Sequence, residues 1–485
     1  MQTTFENAER QHLRKLELER HLQVIASAGT TSDLELFSDN LDIPGLADGL
    51  TGQPLNKAPP LSDASVSSSR RPRGRSSIFV SVAIVIFAVI VCSLLPARIR
   101  GPASSVTEVI EPTGRYRHLF SLILDFNITK RAELEDRESP QSKALHWLAY
   151  KDTSEDVEDL RTRYSLATLY FSTRTNETDW VKADQWMSPD PVCFWYGVKC
   201  LQTQAMIHRV QYLNLSANGL VGSIPEELSL LQQDCHVLDL SYNQIGGRIP
   251  VSLGKNLQNL QRLYLGPNAL TSTIPESLFE LQRLTHLYID SCHLNGTLSG
   301  SIHKMTSLHG LALHDNQLTG NLPESLGGLT GLRVLNLDEN RFKGRIPTTL
   351  GSLTGLVDLR LDQNLITGFI PSELASLSLL EILYLDTNKL TGTIPNIVAE
   401  SMPFLTELHL HNNALTGSIP KGLASAPFLQ VVYLDGNNLT GEMPAEICQR
   451  RRDGMMEDLW ADCAEPPEVK CSLEDCCTRC FPQDR

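Results

Sequence analysis

The sequence predicts an α/β solenoid that is held by one membrane span and closed at its C-terminal end by disulfides. Three observations predict it. From about Ile207 a pattern of 24 or 25 residues recurs, with asparagine or a substitute at a fixed place in each unit. An uncharged stretch, "IFVSVAIVIFAVIVCSLL", runs from Ile78 to Leu95. Six of the 11 cysteines lie between Cys448 and Cys480, beyond the last unit.

The first 77 residues are expected to lie in the cytoplasm. Residues 4–27 have the apolar spacing of one amphipathic helix, and residues 28–77 are rich in Ser, Pro and Asp, which predicts disorder. This segment is too short for a kinase and contains no glycine-rich phosphate loop. If it takes part in signalling, it does so by recruiting a cytoplasmic adaptor.

Residues 78–95 are predicted to form a transmembrane signal anchor. The stretch is long enough to cross the hydrocarbon core as a helix, and it begins too deep in the chain for a cleaved signal peptide. Four arginines in the range 70–75 precede it, which favours a cytoplasmic N-terminus. We therefore predict a single-pass type II protein of the plasma membrane with an extracellular C-terminal part; an endomembrane with a luminal repeat domain fits the same pattern.

The region after the span carries the marks of an oxidising, glycosylating compartment. Residues 96–138 are assigned to an extracellular stalk. The predicted glycosylation sites all follow the span: Asn127, Asn176, Asn214, Asn295 and Asn438.

The net charge of the whole chain is −14, which leaves no basic patch to bind phosphates, so no nucleic-acid partner is expected.

Ten repeat units are predicted in residues 207–447. The L-x-L alternation in each unit places leucines inward on a short strand, and the asparagine that follows turns inward to satisfy backbone groups of neighbouring coils. One unit cannot bury its leucines, so stacked units share a core and form a parallel sheet on a concave face. The asparagine position is occupied by residues 218, 243, 268, 292, 316, 340, 364, 388, 413 and 437.

Two adjacent units depart from the repeat. The third has Ser272 in place of the turn glycine and carries Gly266 and Pro267 at the end of its strand. The fourth has Cys292 at the asparagine position. We expect local irregularity near residues 266–299, including a kink of the concave face.

The segment "LYLDTNKLTGTIP" at 383–395 and its copies resemble the plant-type extracellular leucine-rich repeats of receptor-like kinases, receptor-like proteins and polygalacturonase inhibitors. The segments "RYSLATLYFST" and "CFWYGVKC" are similar to the N-terminal cap of that family. With "SPQSKALHWLAYKD" and the cysteine-rich tail, the chain most closely resembles membrane-anchored leucine-rich-repeat proteins of diatoms. The resemblance implies ten plant-type repeats, a helical N-terminal cap at 139–206 and a receptor-like protein without a kinase domain.

The cysteines fall into three groups. Cys193 and Cys200 bracket the end of the N-terminal cap and are expected to form a disulfide, whereas Cys235 and Cys292 occupy inward positions and are expected to be buried thiols. The tail at 448–485 is predicted to be a cap stapled by three disulfides, with the pairing left open. A zinc site of four thiolates is the alternative for this tail; no metal or cofactor is assigned. The tail cysteines are Cys448, Cys463, Cys471, Cys476, Cys477 and Cys480.

The outward residues of the concave strands are the candidate ligand-binding site. One column is rich in tyrosine and the next in carboxylate and histidine, which favours a hydroxyl-rich or cationic polymer, either a glycan or a basic peptide. The alternative is that polar residues on a solvated face bind nothing. The candidates are Tyr264, Tyr288, Asp290, His314, Asp338, Arg360, Asp362, Tyr384, Asp386, His409, His411, Tyr433 and Asp435.

These features favour a cell-surface recognition or adhesion receptor that binds an extracellular glycan, peptide or protein, with a co-receptor or cytoplasmic adaptor as a further partner. Two alternatives stay open: an architectural link between membrane and cell wall, and a tethered inhibitor of a wall-degrading enzyme. No triad, metal motif or phosphate loop is present in the sequence. The chain is therefore not expected to be an enzyme, and no catalytic residue is assigned.

Overall fold

A computed structural model describes residues 113–174, 180–201, 209–396, 401–463, 469–470 and 476–481. The predicted amphipathic helix, the disordered segment and the span at 78–95 lie outside these residues, as do Asn176 and Cys471. Within the described ranges, no helix is long and apolar enough to cross a membrane.

Helices precede the repeats and pack against their first coils. Side chains cap three of them: Thr113 accepts a hydrogen bond from the amide of Tyr116, Ser139 from that of Ser142, and Asp156 from those of the first turn that follows it. The helices of this region are α1 (Gly114–Asp125), α2 (Arg131–Glu135), α3 (Pro140–Tyr150) and α4 (Val157–Ser172).

The packed helical region begins before residue 139. Leu119 and Ile123 of α1 and Leu134 of α2 are each 1% exposed and belong to the same core as Leu145 and Tyr164 of α3 and α4. These two helices fall within 96–138, the range assigned to a stalk, so part of that range is a folded section of the cap. The other domain boundaries stay predictions.

The repeats form one large sheet, the main sheet, in which neighbouring strands are parallel except for the antiparallel first pair. The strands, numbered along the chain, are β1 (Val198–Leu201), β2 (Arg209–Asn214), β4 (Val237–Asp239), β6 (Arg262–Tyr264), β8 (His286–Tyr288), β9 (Gly310–Ala312), β11 (Val334–Asn336), β13 (Asp358–Arg360), β15 (Ile382–Tyr384), β17 (Glu407–His409), β19 (Val431–Tyr433), β22 (Asp458–Ala461) and β24 (Arg479–Cys480).

The inward leucines are aligned from strand to strand, as the L-x-L pattern predicts. Leu335 of β11 lies opposite Leu311 of β9 and Leu359 of β13, and all three are fully buried. The same register continues to Leu383 of β15. Because each leucine also packs against those of the adjoining strands, the core is continuous along the stack and no unit has a core of its own.

Each inward asparagine joins adjacent coils, which confirms the role predicted for it. Asn340 accepts a hydrogen bond from the amide of Leu318 at 2.9 Å and donates to the carbonyl oxygen of Leu313 at 2.8 Å and to that of Asp338 at 3.0 Å. The same geometry recurs at Asn388. These amides satisfy backbone groups that the coil would otherwise bury without partners.

The outer side of the stack carries short strands that alternate with those of the main sheet and pair in parallel. They are β3 (Val221–Ser223), β5 (Gln244–Gly247), β7 (Ala269–Leu270), β10 (Thr319–Asn321), β12 (Arg341–Gly344), β14 (Leu365–Gly368), β16 (Lys389–Gly392), β18 (Ala414–Gly417) and β20 (Asn438–Leu439). The short helix α5 (Val251–Asn256) and 3-10 turns connect them to the next main-sheet strand. Those turns are Glu226–Asp234, Glu276–Glu280, Gly300–Lys304, Glu324–Gly328, Thr348–Ser352, Ser372–Ser376 and Lys421–Ser425.

The predicted irregularity lies in this outer layer and not in the main sheet. Pairing stops after β7 and resumes at β10, with a single bridge between Thr297 and Thr319 across the gap. The main sheet runs from β6 to β8 in regular register, so the kink expected at residues 266–267 does not interrupt it. The gap coincides with the fourth unit, in which Cys292 replaces asparagine.

Cys292 only partly replaces an asparagine. Its sulfur lies 3.9 Å from the carbonyl oxygen of Leu265, where an asparagine amide would donate at about 3 Å. We expect Cys292→Asn to raise the free energy of unfolding by about 1–2 kcal/mol, because the amide would bond both Leu265 and the amide of Leu270. Urea unfolding of the two proteins measures this difference. A lower midpoint for the variant would contradict the assigned role of this position.

The C-terminal cap extends the main sheet with β22 and β24, and helix α6 (Ala445–Arg452) packs beside the last turn. The strands β21 (Gly441–Glu442) and β23 (Val469–Lys470) pair on the outer side. The cap is closed by the disulfides Cys448–Cys476 and Cys463–Cys480, and the N-terminal cap by Cys193–Cys200.

The tail does not present the four thiolates of the zinc alternative. The sulfurs of Cys463, Cys477 and Cys480 lie within 4.8 Å of one another, but Cys463 and Cys480 are joined in a disulfide and cannot act as thiolate ligands. The third predicted disulfide involves Cys471, which the structure does not describe, so it stays a prediction. Cys235 and Cys292 are buried thiols, and burial raises the pKa of each to about 12.

Candidate ligand-binding face

The side chains that alternate with the buried leucines form the other face of the main sheet, which we call the open face. It is the face predicted to be concave, and three columns of side chains run along it. The central column is Asn214, Asp239, Tyr264, Tyr288, Ala312, Asn336, Arg360, Tyr384, His409, Tyr433, Trp460 and Arg479. The first column, two residues earlier in each strand, includes His286, Gly310, Asp358, Glu407 and Asp458. The aspartate column, two residues later, includes Asp290, His314, Asp338, Asp362, Asp386, His411 and Asp435.

Four rings of the central column stack face to face, and we call them the aromatic ladder: Tyr384, His409, Tyr433 and Trp460. The ring centroids of Tyr384 and His409 are 3.9 Å apart, with an angle of 4° between the planes. The next separations are 4.4 Å, from His409 to Tyr433, and 3.9 Å, from Tyr433 to Trp460. These separations are somewhat shorter than the distance of about 4.8 Å between neighbouring strands, so the sheet places the rings side by side and they lean into contact.

An arginine covers each end of the aromatic ladder. The guanidinium of Arg360 lies 4.9 Å from the centroid of Tyr384, and that of Arg479 lies 4.7 Å from the centroid of Trp460. Arg360 is also fixed by the carboxylate of Asp358 at 3.0 Å. The two guanidinium groups therefore cover ring faces that would otherwise be open to a ligand.

The hydroxyl groups of the ladder tyrosines are bonded to carboxylates of the first column. Tyr384 donates to Glu407, and Tyr433 donates to Asp458 at 3.5 Å. Burial, and then the negative charge of Asp458, raise the pKa of Tyr433 to about 12. Burial, followed by the nearby His411 and Arg360, lowers the pKa of His409 to about 3, so this ring is neutral at physiological pH.

A second aromatic group lies nearer the N-terminal end. Tyr264 and Tyr288 have centroids 5.2 Å apart, and His286 meets Tyr288 edge to face at 5.8 Å. Burial lowers the pKa of His286 to about 4. An added Cβ at Gly310 would lie 2.6 Å from the hydroxyl oxygen of Tyr288, so a larger residue there would require the tyrosine ring to shift.

The aspartate column places carboxylates side by side with little exposure. Asp362 is 7% exposed and Asp386 is 6% exposed. Burial, and then the charges of Asp338 and Asp386, hold the pKa of Asp362 well above its usual value, and Arg360 opposes this shift. Burial also raises the pKa of Asp386, opposed first by His411, whose Nε2 is 3.4 Å from its carboxylate.

The structure brings most of the candidate residues into two patches. The C-terminal patch contains the aromatic ladder with Arg360 and the aspartates beside it, and the N-terminal patch contains Tyr264 and Tyr288. Asp290 and His314, which also belong to the aspartate column, form a separate pair in which Nε2 of His314 lies 3.7 Å from the carboxylate of Asp290. The assignment of ligand-contacting residues among these positions stays a prediction.

Sequence reasoning missed the contribution of the C-terminal cap to this face. Trp460 and Arg479 extend the central column because β22 pairs with β19 and β24 pairs with β22. Trp460 follows Tyr433 by 27 residues and not by 24 or 25, so it is out of phase with the repeat. The signal that could have found it is "DLWAD", which has the apolar alternation of a repeat strand.

The described sequons lie in different environments. Asn127, Asn295 and Asn438 are exposed, and Asn438 belongs to β20 in the outer layer. Asn214 is half-buried in the central column, and its side-chain oxygen accepts hydrogen bonds from Ser216. Glycosylation of these sites stays a prediction.

Family models match the repeated part of the chain. Residues 235–445 match the model described as a leucine-rich repeat region, and residues 209–231 match the model described as a leucine-rich repeat. The repeats of this chain are similar to leucine-rich repeats. No curated protein sequence matches the chain. The more specific resemblance to diatom leucine-rich-repeat proteins is not tested by these matches and stays a prediction.

Two solved structures are similar to this chain. The first is the LRR ectodomain of the plant membrane receptor kinase GASSHO1/SCHENGEN3 from Arabidopsis thaliana, in complex with CASPARIAN STRIP INTEGRITY FACTOR 2; it is 36% identical, with a TM-score of 0.57. That match covers 61% of this chain and 34% of the receptor ectodomain, so this chain spans only about a third of that ectodomain's length. The second is a plant ice-binding protein, 26% identical, with a TM-score of 0.53 over 64% of this chain and 97% of that protein.

Proposed function

We propose that this chain is an extracellular recognition protein that binds a peptide or protein ligand on the open face of its leucine-rich repeats. The observation that carries the proposal is the aromatic ladder with the carboxylates that flank it. Aromatic side chains are enriched where proteins bind partners, and here the sheet fixes them before any ligand arrives. The similarity to a receptor ectodomain that was solved with a bound factor supports the same use of the fold.

The other features expected of a receptor belong to this proposal. The chain is anchored by residues 78–95 as a type II membrane protein, has ten repeats, and acts without a kinase of its own, through a co-receptor or a cytoplasmic adaptor. An architectural link between membrane and cell wall would instead require the open face to hold wall polysaccharide. A tethered inhibitor would require it to hold a folded wall-degrading enzyme.

A binding experiment with two matched pairs of aromatic substitutions tests the proposal. The full-length chain is exposed to a random-peptide display library and to a glycan array. We expect enriched binders to lose about tenfold or more in affinity to Tyr384→Ala/His409→Ala, because truncating central aromatic residues of an interface costs more than about 1 kcal/mol each. The control is Phe404→Ala/Phe428→Ala, a stacked and exposed pair that lies outside the three columns.

The two pairs separate binding on the open face from a general loss of structure. Thermal unfolding of both variants shows that each is folded at the temperature of the assay. Binding that survives Tyr384→Ala/His409→Ala, or that is lost equally in the control, would remove the open face from consideration. Enrichment of wall polysaccharides alone would favour the architectural alternative.

A further inference from the structure

The aromatic ladder offers ring edges to a ligand and not ring faces. A sugar or a planar cation that stacks on an aromatic side chain needs one free face. Within the ladder every inner face is covered by the next ring, and the two outer faces are covered by Arg360 and Arg479. The ladder therefore leaves no ring face free and does not act as a stacking platform for a glycan.

The same part of the open face is strongly acidic. Along the three columns from β11 to β24, the cationic side chains are Arg360 and Arg479, and Arg360 is bound to Asp358. The carboxylates in that stretch are Asp338, Asp358, Asp362, Asp386, Glu407, Asp435, Asp458 and Asp462. A surface with this imbalance attracts cations and repels acidic partners.

Several of these carboxylates are committed to the fold. Glu407 and Asp458 accept hydrogen bonds from the ladder tyrosines. Asp462 accepts hydrogen bonds from the backbone amides of Gly436 and Asn437, so it caps the last repeat as an inward asparagine would. These residues hold the structure, and they do not identify a ligand.

Asp362 differs from the committed carboxylates. It is 7% exposed, yet its Oδ1 is buried and accepts no hydrogen bond from the described residues. An unsatisfied oxygen of this kind costs free energy unless a donor reaches it. Asp386 is the next residue of the column, one strand away, so a donor that reaches Asp362 meets a second carboxylate about 5 Å further on.

We propose that the open face binds a basic peptide, with an arginine or lysine side chain of the peptide pairing with Asp362 and Asp386. This inference rests on the proposed function and names its ligand class. A guanidinium fits such a site well, because its forked N–H groups can bond two carboxylates at once. The backbone of an extended peptide can then lie along the ladder, against the edges of its rings.

Protons compete with the ligand for this site. The groups that face Asp362 are Asp338 and Asp386, which favour its protonated form, and Arg360, which opposes them. His411 faces Asp386 on the other side. Because the pKa of Asp362 is raised, the carboxyl holds its proton to higher pH, and a cation must displace that proton. The affinity for a basic peptide should therefore fall as the pH is lowered through the raised pKa, while arginine stays charged throughout.

The test uses hexa-arginine, hexa-glutamate and cellohexaose as probes of the full-length chain in titration calorimetry. We expect hexa-arginine to bind, and Asp362→Asn/Asp386→Asn to weaken it about tenfold or more, which corresponds to about 1.4 kcal/mol. The matched control is Glu276→Gln/Glu373→Gln, which removes the same charge from exposed residues of the 3-10 turns. The control should bind hexa-arginine within about twofold of the unmodified chain.

Every outcome bears on the inference. Undetectable binding of hexa-arginine, or an equal loss in both variants, overturns it, since the effect would then be absent or one of net charge alone. An affinity independent of pH in the unmodified chain also overturns it. Tighter binding of hexa-glutamate, lost in Tyr384→Ala/His409→Ala, overturns the ligand class and leaves the proposed function standing. Tighter binding of cellohexaose, lost in the same variant, overturns both and favours the architectural alternative.

Discussion

Replacing Arg163 with methionine is expected to lower the free energy of unfolding of the N-terminal cap by about 3–5 kcal/mol. Arg163 lies on α4 with its side chain 3% exposed. It bonds Asp152 at 2.9 Å and Asp159 at 2.9 Å, and it donates to the backbone oxygen of Asp190 at 2.8 Å. Methionine keeps most of the volume and removes every one of these donors.

The size of the effect comes from what the substitution leaves behind. The side chain of Asp152 is 0% exposed, so its carboxylate would stay buried without its cation. Removing one member of a buried ion pair costs more than the pair itself contributes, because the remaining charge has lost both water and partner. The guanidinium also lies 5.8 Å from the ring of Trp195, so tryptophan fluorescence during urea unfolding reports directly on this region.

Arg131→Met is the control for this prediction. Arg131 makes an ion pair with Glu135 at 3.5 Å, in which the two side chains are 65% and 58% exposed. Its loss should change the free energy of unfolding by no more than about 1 kcal/mol. Equal effects at the two positions would show that the cap does not depend on the buried network around Arg163.

The repeat region could be predicted from the sequence because its period and its residue types carry the same information. Inward leucines such as Leu335 and inward asparagines such as Asn340 recur at fixed spacing, and each has one physical task. The columns of the open face follow from the same count, so the repeat period alone assigns Tyr384 and Asp386 to neighbouring columns. The gap in the outer layer also lies in the unit whose sequence departs from the pattern at Cys292.

Features that depend on packing between distant segments could not be predicted in this way. Nothing in the sequence marks Leu119 and Leu134 as parts of the cap core, because α1 and α2 lie outside any repeat. The stacking of Trp460 on Tyr433 depends on how the C-terminal cap docks, and its spacing breaks the period. The pairing of Cys448 with Cys476, and not with a nearer cysteine, is one of several arrangements that the sequence allows.

Asn364→Leu should lower the free energy of unfolding of the repeats by about 2–5 kcal/mol. Asn364 is 6% exposed and accepts a hydrogen bond from the amide of Phe342 at 2.9 Å. It donates to the carbonyl oxygens of Leu337 at 3.0 Å and Asp362 at 3.0 Å. Leucine has a similar volume, so the core stays filled and only the amide is lost. The amide of Phe342 and the carbonyl oxygen of Leu337, both in the preceding coil, would then be buried without a hydrogen-bond partner.

The position of Asn364 in the middle of the stack makes the result informative beyond its size. A solenoid holds together through contacts between neighbouring units, so a weak unit in the middle can divide one unfolding transition into two. Urea unfolding followed by circular dichroism should show a midpoint at lower urea concentration, a weaker dependence of the free energy of unfolding on urea concentration, or both. Gln363→Leu is the control, because its exposed amide reaches only Glu339 at 3.3 Å and should matter little. If Asn364→Leu unfolds like the control, the inward asparagines do not hold the coils together, and the regularity of the open face must come from leucine packing alone.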